Sequence, residues 1–350
     1  MSTESHQSTS PSGVLLLGSI PLSSTEEVFT KIPAALPDRL FSIPDGETGI
    51  RDNYIRWQVD SFPKEAIHHF LGGTDLPTNH PGFTLNDIKP TRYDTVALES
   101  YQTFLKLLEQ EVIPPGVRFQ VSLPLPLNCV QGHTRAELHA QLDPLYEQRM
   151  IESVQSIIQN IPAHDLALQW DVCFEVTALE NERGRLPDPF FKPHFSPVME
   201  GVLERIQRVS DIALIPAEVP LGFHLCYGDL GHKHFVEPED LSLLVELANN
   251  IFERIQPRPV DWVHMPVPKD RDDVAYFEPL KRLKMGKDTR LYLGVVHAHD
   301  EEGTRRRIQT AKSVVSDFGV ATECGMGRTP AEELNSILEI SRNVSSPVWL

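Results

Sequence analysis

The sequence predicts a single α/β chain folded as one eight-stranded parallel (β/α) TIM barrel, with a cap inserted after the second strand. Three observations predict it. Short apolar runs alternate with longer helical patterns along the whole chain. Most of the short runs are apolar on both faces, as strands of a buried parallel sheet must be. The 350 residues also fit one barrel with insertions. A doubly wound open sheet is the competing arrangement.

The eight strand segments, in order, are 14–17, 40–43, 117–121, 166–170, 221–225, 260–263, 291–296 and 319–322. Between them lie helix signatures. Ser24 precedes Glu26 and Glu27, a cap with an acidic first turn. Residues 134–161 form a long amphipathic stretch. Pro238, Glu239 and Asp240 open a stripe of Leu241, Leu244, Val245 and Ala248. Residues 301–315 make another helix, and Thr329 with Pro330 starts the last. Two connections are long. Residues 44–95 contain Trp57, His68 and His69 with several Gly and Pro, and read as a cap over one end. Residues 176–197 carry Pro187, Pro189 and Pro193 and read as a loop. Residues 1–12, rich in Ser and Thr, read as a disordered tail, leaving 13–350 as one barrel domain.

Composition narrows the function classes. Hydrophobic residues at 40% allow a sizeable core, and the net charge of -17 would repel phosphate backbones and anionic lipid. Nucleic acid and membrane are therefore poor partners. No apolar run approaches the roughly 20 residues of a membrane span, and no signal-peptide pattern opens the chain. Four cysteines in a chain of this length do not make a disulfide scaffold. A cytoplasmic protein with free thiols is expected, and a homo-oligomer stays open.

In barrels of this kind active-site groups sit at the carboxyl ends of the strands. Reading each strand to its end gives Ser19; Asp45 and Glu47; Ser122; Asp171 and Glu175; His224 and Cys226; His264; His297 and His299; Glu323 and Cys324. The sharpest motif is His224-Leu225-Cys226. Alternate residues of a strand share a face, so imidazole and thiol stand side by side. Cys324, at the end of the last strand, could close the site across the mouth. Two thiolates and an imidazole suit zinc and leave one position for a reacting group. Against this, H-x-C arises by chance and Cys is commonly buried. Cys129 and Cys173 lack a comparable His and read as packing residues.

The chain resembles the catalytic carboxyl-terminal barrel of the cobalamin-independent methionine synthase family, within the group that includes uroporphyrinogen decarboxylase. Five segments carry the resemblance, in order: Leu17-Gly18-Ser19-Ile20-Pro21, Leu168-Gln169-Trp170-Asp171, His224-Leu225-Cys226-Tyr227, Val295-Val296-His297-Ala298-His299 and Glu323-Cys324-Gly325-Met326. The resemblance implies zinc held by His224, Cys226 and Cys324, and methyl or alkyl transfer to a small thiol or amino-acid-like substrate. It implies that Asp171 holds a substrate amino group, that Ser19 orients the acceptor and that His299 acts as general acid or positions the donor. The chain departs from the pattern at the fourth ligand, a Glu in the family. Here the sixth strand segment ends in His264-Met265-Pro266, and His264 is the candidate substitute. Asp45, Glu47 and Arg51 in the segment after the second strand mark a short side branch and could bind a polar substrate, as could Glu175. Two other readings stand: a zinc-dependent hydrolase or lyase, and a metal-free decarboxylase-like barrel in which His297 and His299 face an anionic substrate.

Overall fold

A computed structural model describes residues 10–229 and 233–348. Seven of the eight predicted strand segments form one parallel sheet whose order follows the chain. They are β1 (Ser42–Pro44), β2 (Arg118–Pro124), β3 (Leu166–Val172), β4 (Leu221–Leu225), β5 (Trp262–Pro266), β6 (Arg290–Val296) and β7 (Gly319–Thr322). Each β-to-β connection carries helix, as parallel pairing demands. The helices are α1 (Thr25–Ala35), α2 (Tyr93–Glu109), α3 (Pro126–His133), α4 (His139–Asn160), α5 (Phe174–Glu182), α6 (Val198–Val209), α7 (Ser242–Arg254), α8 (Val274–Phe277), α9 (Glu301–Lys312) and α10 (Leu334–Val344). The first of them, α1, touches both α2 and α10, so the two ends of the helical layer meet.

The expected closed eight-stranded barrel is not what forms. The first predicted strand, 14–17, joins no ladder and makes isolated bridges only, Val14 to Val320 on one side and Ser19 to Gly46 on the other. The reason lies in its carbonyls. Those of Leu16 and Leu17 accept from side chains, Gln120 Nε2 at 2.8 Å and Gln169 Nε2 at 2.9 Å, which takes them out of ladder pairing. Gly18, at φ +137, ends the extended run. The result is a curved seven-stranded parallel sheet with a tethered strap across its edges.

Other boundaries also moved. Ser24 caps α1 as predicted, accepting from Glu27 N–H at 3.2 Å. The long amphipathic stretch becomes α4 only from His139, and the helix placed at Pro238 begins at Ser242, whose N–H is held by Asp240 at 2.7 Å. Residues 176–182, read as loop, belong to α5, because the prolines that argued for a loop start only at Pro187. Residues 10–12, assigned to the tail, are ordered: Ser12 N–H donates to Phe318 at 3.0 Å. The rest of the predicted tail, 1–9, lies outside the described residues.

The sheet interior is layered, and the layers set the height of the site. Leu15, Leu17, Ala167, Trp262, Tyr292 and Ala321 fill it in one apolar cluster. Gln169, Gly222 and Trp262 stand in register on β3, β4 and β5, and Trp262 donates through Nε1 to Gln169 Oε1 at 3.3 Å. Gly222 is glycine because the indole of Trp262 lies across it and leaves no room for a Cβ. One layer higher, Asp171, His224 and His264 are in register on the same three strands. Gly222→Ala should therefore cost about 3 kcal/mol by overpacking. A drop in the urea midpoint with unchanged slope would be the signature; an unchanged midpoint would mean that Trp262 does not floor this layer.

Candidate metal centre

Alternation along two neighbouring strands builds the site. On β3, Asp171 and, just past its end, Cys173 face the interior; on β4, His224 and Cys226 do the same. Cys226 N–H donates to Val172 O at 3.0 Å, which carries the β3–β4 pairing one step beyond the ladder. Cys324, two residues beyond β7, arrives from across the sheet. Its Sγ lies 3.7 Å from Cys226 Sγ and 3.7 Å from His224 Nε2. The three donor atoms all lie within 4.8 Å of one another. Zinc–sulfur and zinc–nitrogen bonds of about 2.3 and 2.0 Å imply tetrahedral edges of about 3.5–3.8 Å. The two measured edges fit that figure, and a borderline-soft divalent ion fits these donors.

The protonation of the histidines follows from their partners. His264 Nε2 is 3.0 Å from Thr322 O, a pure acceptor, so Nε2 carries the hydrogen. His264 Nδ1 then accepts, and at 2.8 Å its donor is His224 Nδ1. His224 Nε2 is left with its lone pair facing Cys324. Burial, and after it His224, holds the His264 pKa well below its ordinary value, so the His264 ring stays neutral. His264, proposed above as a fourth ligand, has neither nitrogen free and instead orients the ligand.

The thiols are electrostatically unfinished. Cys226 is raised well above the ordinary thiol value, first by its hydrogen bond to Cys173, and Cys324 is raised first by Cys226. Only a cation would draw both into the thiolate form. Gly228 N–H already points at Cys226 Sγ, 3.2 Å away.

A cavity of about 410 Å³ opens over these donors. Ser19, Glu47 and Asp171 line it beside His224, Cys226 and Cys324. Burial pushes Asp171 up to about 8. Glu47 is raised well above its usual range by burial and then by Asp171. Neither carboxyl forms an ion pair among the described residues. Their natural complement is a ligand cation such as an ammonium. Ser19 Oγ accepts from Gly327 N–H at 3.0 Å, and Ser19 O from Met326 at 2.7 Å, so the strap fixes the turn that follows Cys324.

The remaining predicted residues are not gathered there. Asp45 and Arg51 pair with each other at 2.8 Å, and Asp45 also accepts from Ser100 and from Glu47 N–H. Asp45 thus positions Glu47, which sits at φ +47, instead of reaching a ligand. Glu175 is fully buried at the start of α5, with both oxygens held by Asn128 Nδ2 at 3.2 and 3.0 Å. His297 binds Val267 O at 3.0 Å, and burial lowers it to about 3. His299 is exposed at φ +57, its N–H tied to Ser336, and it does not line the cavity. The catalytic role proposed for His299 finds no geometric support.

Other lining residues went unnoticed in the sequence. Tyr54 and Arg56 come from the segment after β1, Phe174, Phe190 and Phe235 form an aromatic wall, and Arg328 pairs with Asp229 at 2.9 Å beside Cys324. Cys173 also lines the cavity. Its signal was present: Asp171-x-Cys173 repeats on β3 the alternation of His224-x-Cys226 on β4.

No family model matches the chain, and no curated protein does. Among solved structures, one assigned as a vitamin-B12-independent methionine synthase, from Listeria monocytogenes, is similar at 16% identity and TM-score 0.48, over 92% of this chain and 87% of that one. A B12-independent methionine synthase from Shewanella sp. W3-18-1, in complex with selenomethionine, is similar at 13% and 0.43, over 71% of this chain and 64% of that one. A β-glycosidase is similar at 11% and 0.41, over 97% and 98%. Likeness at this level does not reach chemistry, which rests on the site's own geometry. No helix among the described residues is long and apolar enough to cross a membrane.

Two tests follow from this geometry. His264→Leu leaves His224 unoriented and should weaken zinc retention about 10- to 100-fold in chelator competition; unchanged retention would remove the relay. Glu175 ionises near 4.5 when unfolded and near 8 when folded, so between those values the folded state holds the extra proton and stability falls as pH rises. Glu175→Gln should flatten that slope, stabilising the protein by up to roughly 4 kcal/mol at pH 8 and little at pH 4. Parallel melting curves for variant and wild type would contradict it.

Proposed function

We propose that the protein is a zinc-dependent transferase that moves a methyl or related alkyl group to the sulfur of a small thiol carrying an ammonium group. One observation carries the reading: two thiols and an oriented imidazole converge within 4.8 Å, beside the buried Asp171 and the half-buried Glu47 carboxyls, neither in an ion pair among the described residues, in one cavity. The resemblance of five ordered motifs to cobalamin-independent methionine synthases supports it.

His224, Cys226 and Cys324 would hold the metal. Bound there, zinc would supply the positive charge that keeps an acceptor thiol deprotonated, and so nucleophilic, near neutral pH. The remaining work belongs to the chain. Asp171 and Glu47 share the acceptor's ammonium, which compensates their buried charge and fixes the distance from amino group to sulfur. Ser19 steadies the turn after Cys324 and offers its hydroxyl to the same ligand. His264 keeps the His224 lone pair on target. Phe174, Phe190 and Phe235 exclude water from the reacting sulfur and give the donor an apolar surface. The acceptor sulfur attacks the alkyl carbon, a sulfur–carbon bond forms, and the donor leaves with the electron pair of the broken bond.

Metal content and a coupled assay test this. Reconstituted protein should hold about one zinc per chain, and incubation with homocysteine and a panel of methyl donors should consume thiol while product gains one methyl. Cys324→Ser should lose about 100-fold or more in zinc affinity and its activity with it. A wild type that retains no zinc after reconstitution, or a Cys324→Ser protein that retains it as tightly, would sink the proposal. Turnover without thiol dependence would move the reading to a zinc hydrolase or lyase.

A further inference from the structure

The aromatic wall of the cavity is more specific than an apolar surface needs to be. Phe174, at the start of α5, stands edge-on to both Phe190 and Phe235. The ring centroids are 6.1 Å apart in each pair, and the planes are inclined by 62° and 61°. Three rings of different tilt thus bound one space. Phe191 is buried behind them, its centroid 5.1 Å from that of Phe190 and 4.9 Å from that of Phe235. The wall is seated on the sulfur site. Phe235 packs against Gly228, whose φ of +85 and missing side chain leave the ring its space. Gly228 N–H in turn points at Cys226 Sγ. The rings therefore stand beside the place where a transferred carbon must lie.

Proton supply points the same way. A donor whose leaving atom departs as an anion needs an acid beside it. His299, expected to serve, is exposed and does not line the cavity. His133 does line it, but its Nδ1 faces Cys129 O at 2.8 Å and so carries the hydrogen. Burial lowers that ring to about 4, which leaves Nε2 an acceptor. Tyr54 donates to Asn128 Oδ1 at 3.3 Å. Asp171 and Glu47 serve the acceptor's ammonium. A donor that departs neutral needs none of these groups.

We propose that the cavity takes a small onium donor, a methylsulfonium or a methylated quaternary ammonium compound, whose cationic centre lies against Phe174, Phe190 and Phe235. The inference rests on the thiol-transfer reading and names its donor. Aromatic faces attract such cations through the ring quadrupole. The cavity of about 410 Å³ is small for a ligand site and is shared with the acceptor, so the donor is small too. Of the guanidiniums lining it, Arg328 is paired with Asp229, and Arg56 is exposed with no ion-pair partner among the described residues, free for a carboxylate carried by the donor. The net charge of -17 also favours the approach of a cation. In the step the acceptor thiolate attacks the methyl carbon and a sulfur–carbon bond forms. The bond from that carbon to the onium sulfur or nitrogen breaks, and its electron pair stays on the departing atom. Thiolate and onium become a thioether and a neutral leaving group, with no proton transferred.

Equilibrium dialysis of the zinc-reconstituted full chain compares glycine betaine and S-methylmethionine, each with the isostere that has carbon in place of the charged atom. At least one onium should bind about 10-fold more tightly than its isostere. Phe190→Leu should remove most of that preference while zinc content and melting temperature hold. The onium with the larger preference identifies the donor as ammonium or sulfonium, and it should methylate homocysteine. Isosteres that bind wild type as tightly as both oniums, or a preference unchanged in Phe190→Leu, overturn the proposal. Methylation of homocysteine by a neutral methylamine donor and by neither onium also overturns it, and leaves the thiol-transfer reading standing. A wild type that retains no zinc removes that reading and the donor assignment together.

Discussion

The parallel register of β3 against β4 is the constraint on which the rest of the site depends. It sets Asp171 beside His224, and its continuation past the ladder sets Cys173 beside Cys226. A one-residue slip of β4 would turn His224 and Cys226 away from Asp171 and Cys173, because strand side chains alternate. The register is held from below. Gly222 yields its space to Trp262, Trp262 bonds Gln169, and Gln169 bonds both Leu17 O and Asp171. The site is therefore the upper surface of a packed and hydrogen-bonded floor.

The same glutamines explain why the sheet does not close on the first predicted strand. A strap whose carbonyls bind Gln120 and Gln169 gives up ladder pairing, and it gains a fixed height above the floor. That height brings Ser19 to the turn after Cys324, with Gly325 and Gly327 packed close against the hydroxyl. A regular strand would have been better paired and would not have needed the side chains that fill the interior. Closure and the placement of Ser19 beside the turn after Cys324 compete here for the same backbone groups.

Much of this was legible in the sequence, and the reasons are local. H-x-C declares its geometry through a period of two, and Cys324 follows an apolar run that can only be a strand. Asp171 is legible on the same ground. What escaped reading depends on partners distant in the chain. His264 looks like a ligand until Thr322 O is seen to claim Nε2 and His224 to claim Nδ1. His299 looks catalytic because its segment resembles one whose last histidine is functional, yet its left-handed backbone and bond to Ser336 leave it at the surface. Asp45 and Arg51 look like substrate ligands but satisfy each other. Cys173 was read as packing, and it is buried but also lines the cavity.

Charge ties the two halves of the cavity together. Without a cation the acidities of all four groups are pushed up, Cys226 first by Cys173, Cys324 first by Cys226, and Asp171 and Glu47 first by burial, with no ion-pair partner for either carboxyl among the described residues. A divalent ion would neutralise the two donor thiolates, and an ammonium would compensate charge on Asp171 and Glu47. Either cation alone would leave the other half protonated, and a protonated carboxyl pair binds an ammonium poorly. Under the proposed reading each half of the cavity exchanges its protons for its own cation, so metal and amino-bearing substrate would both bind with release of protons.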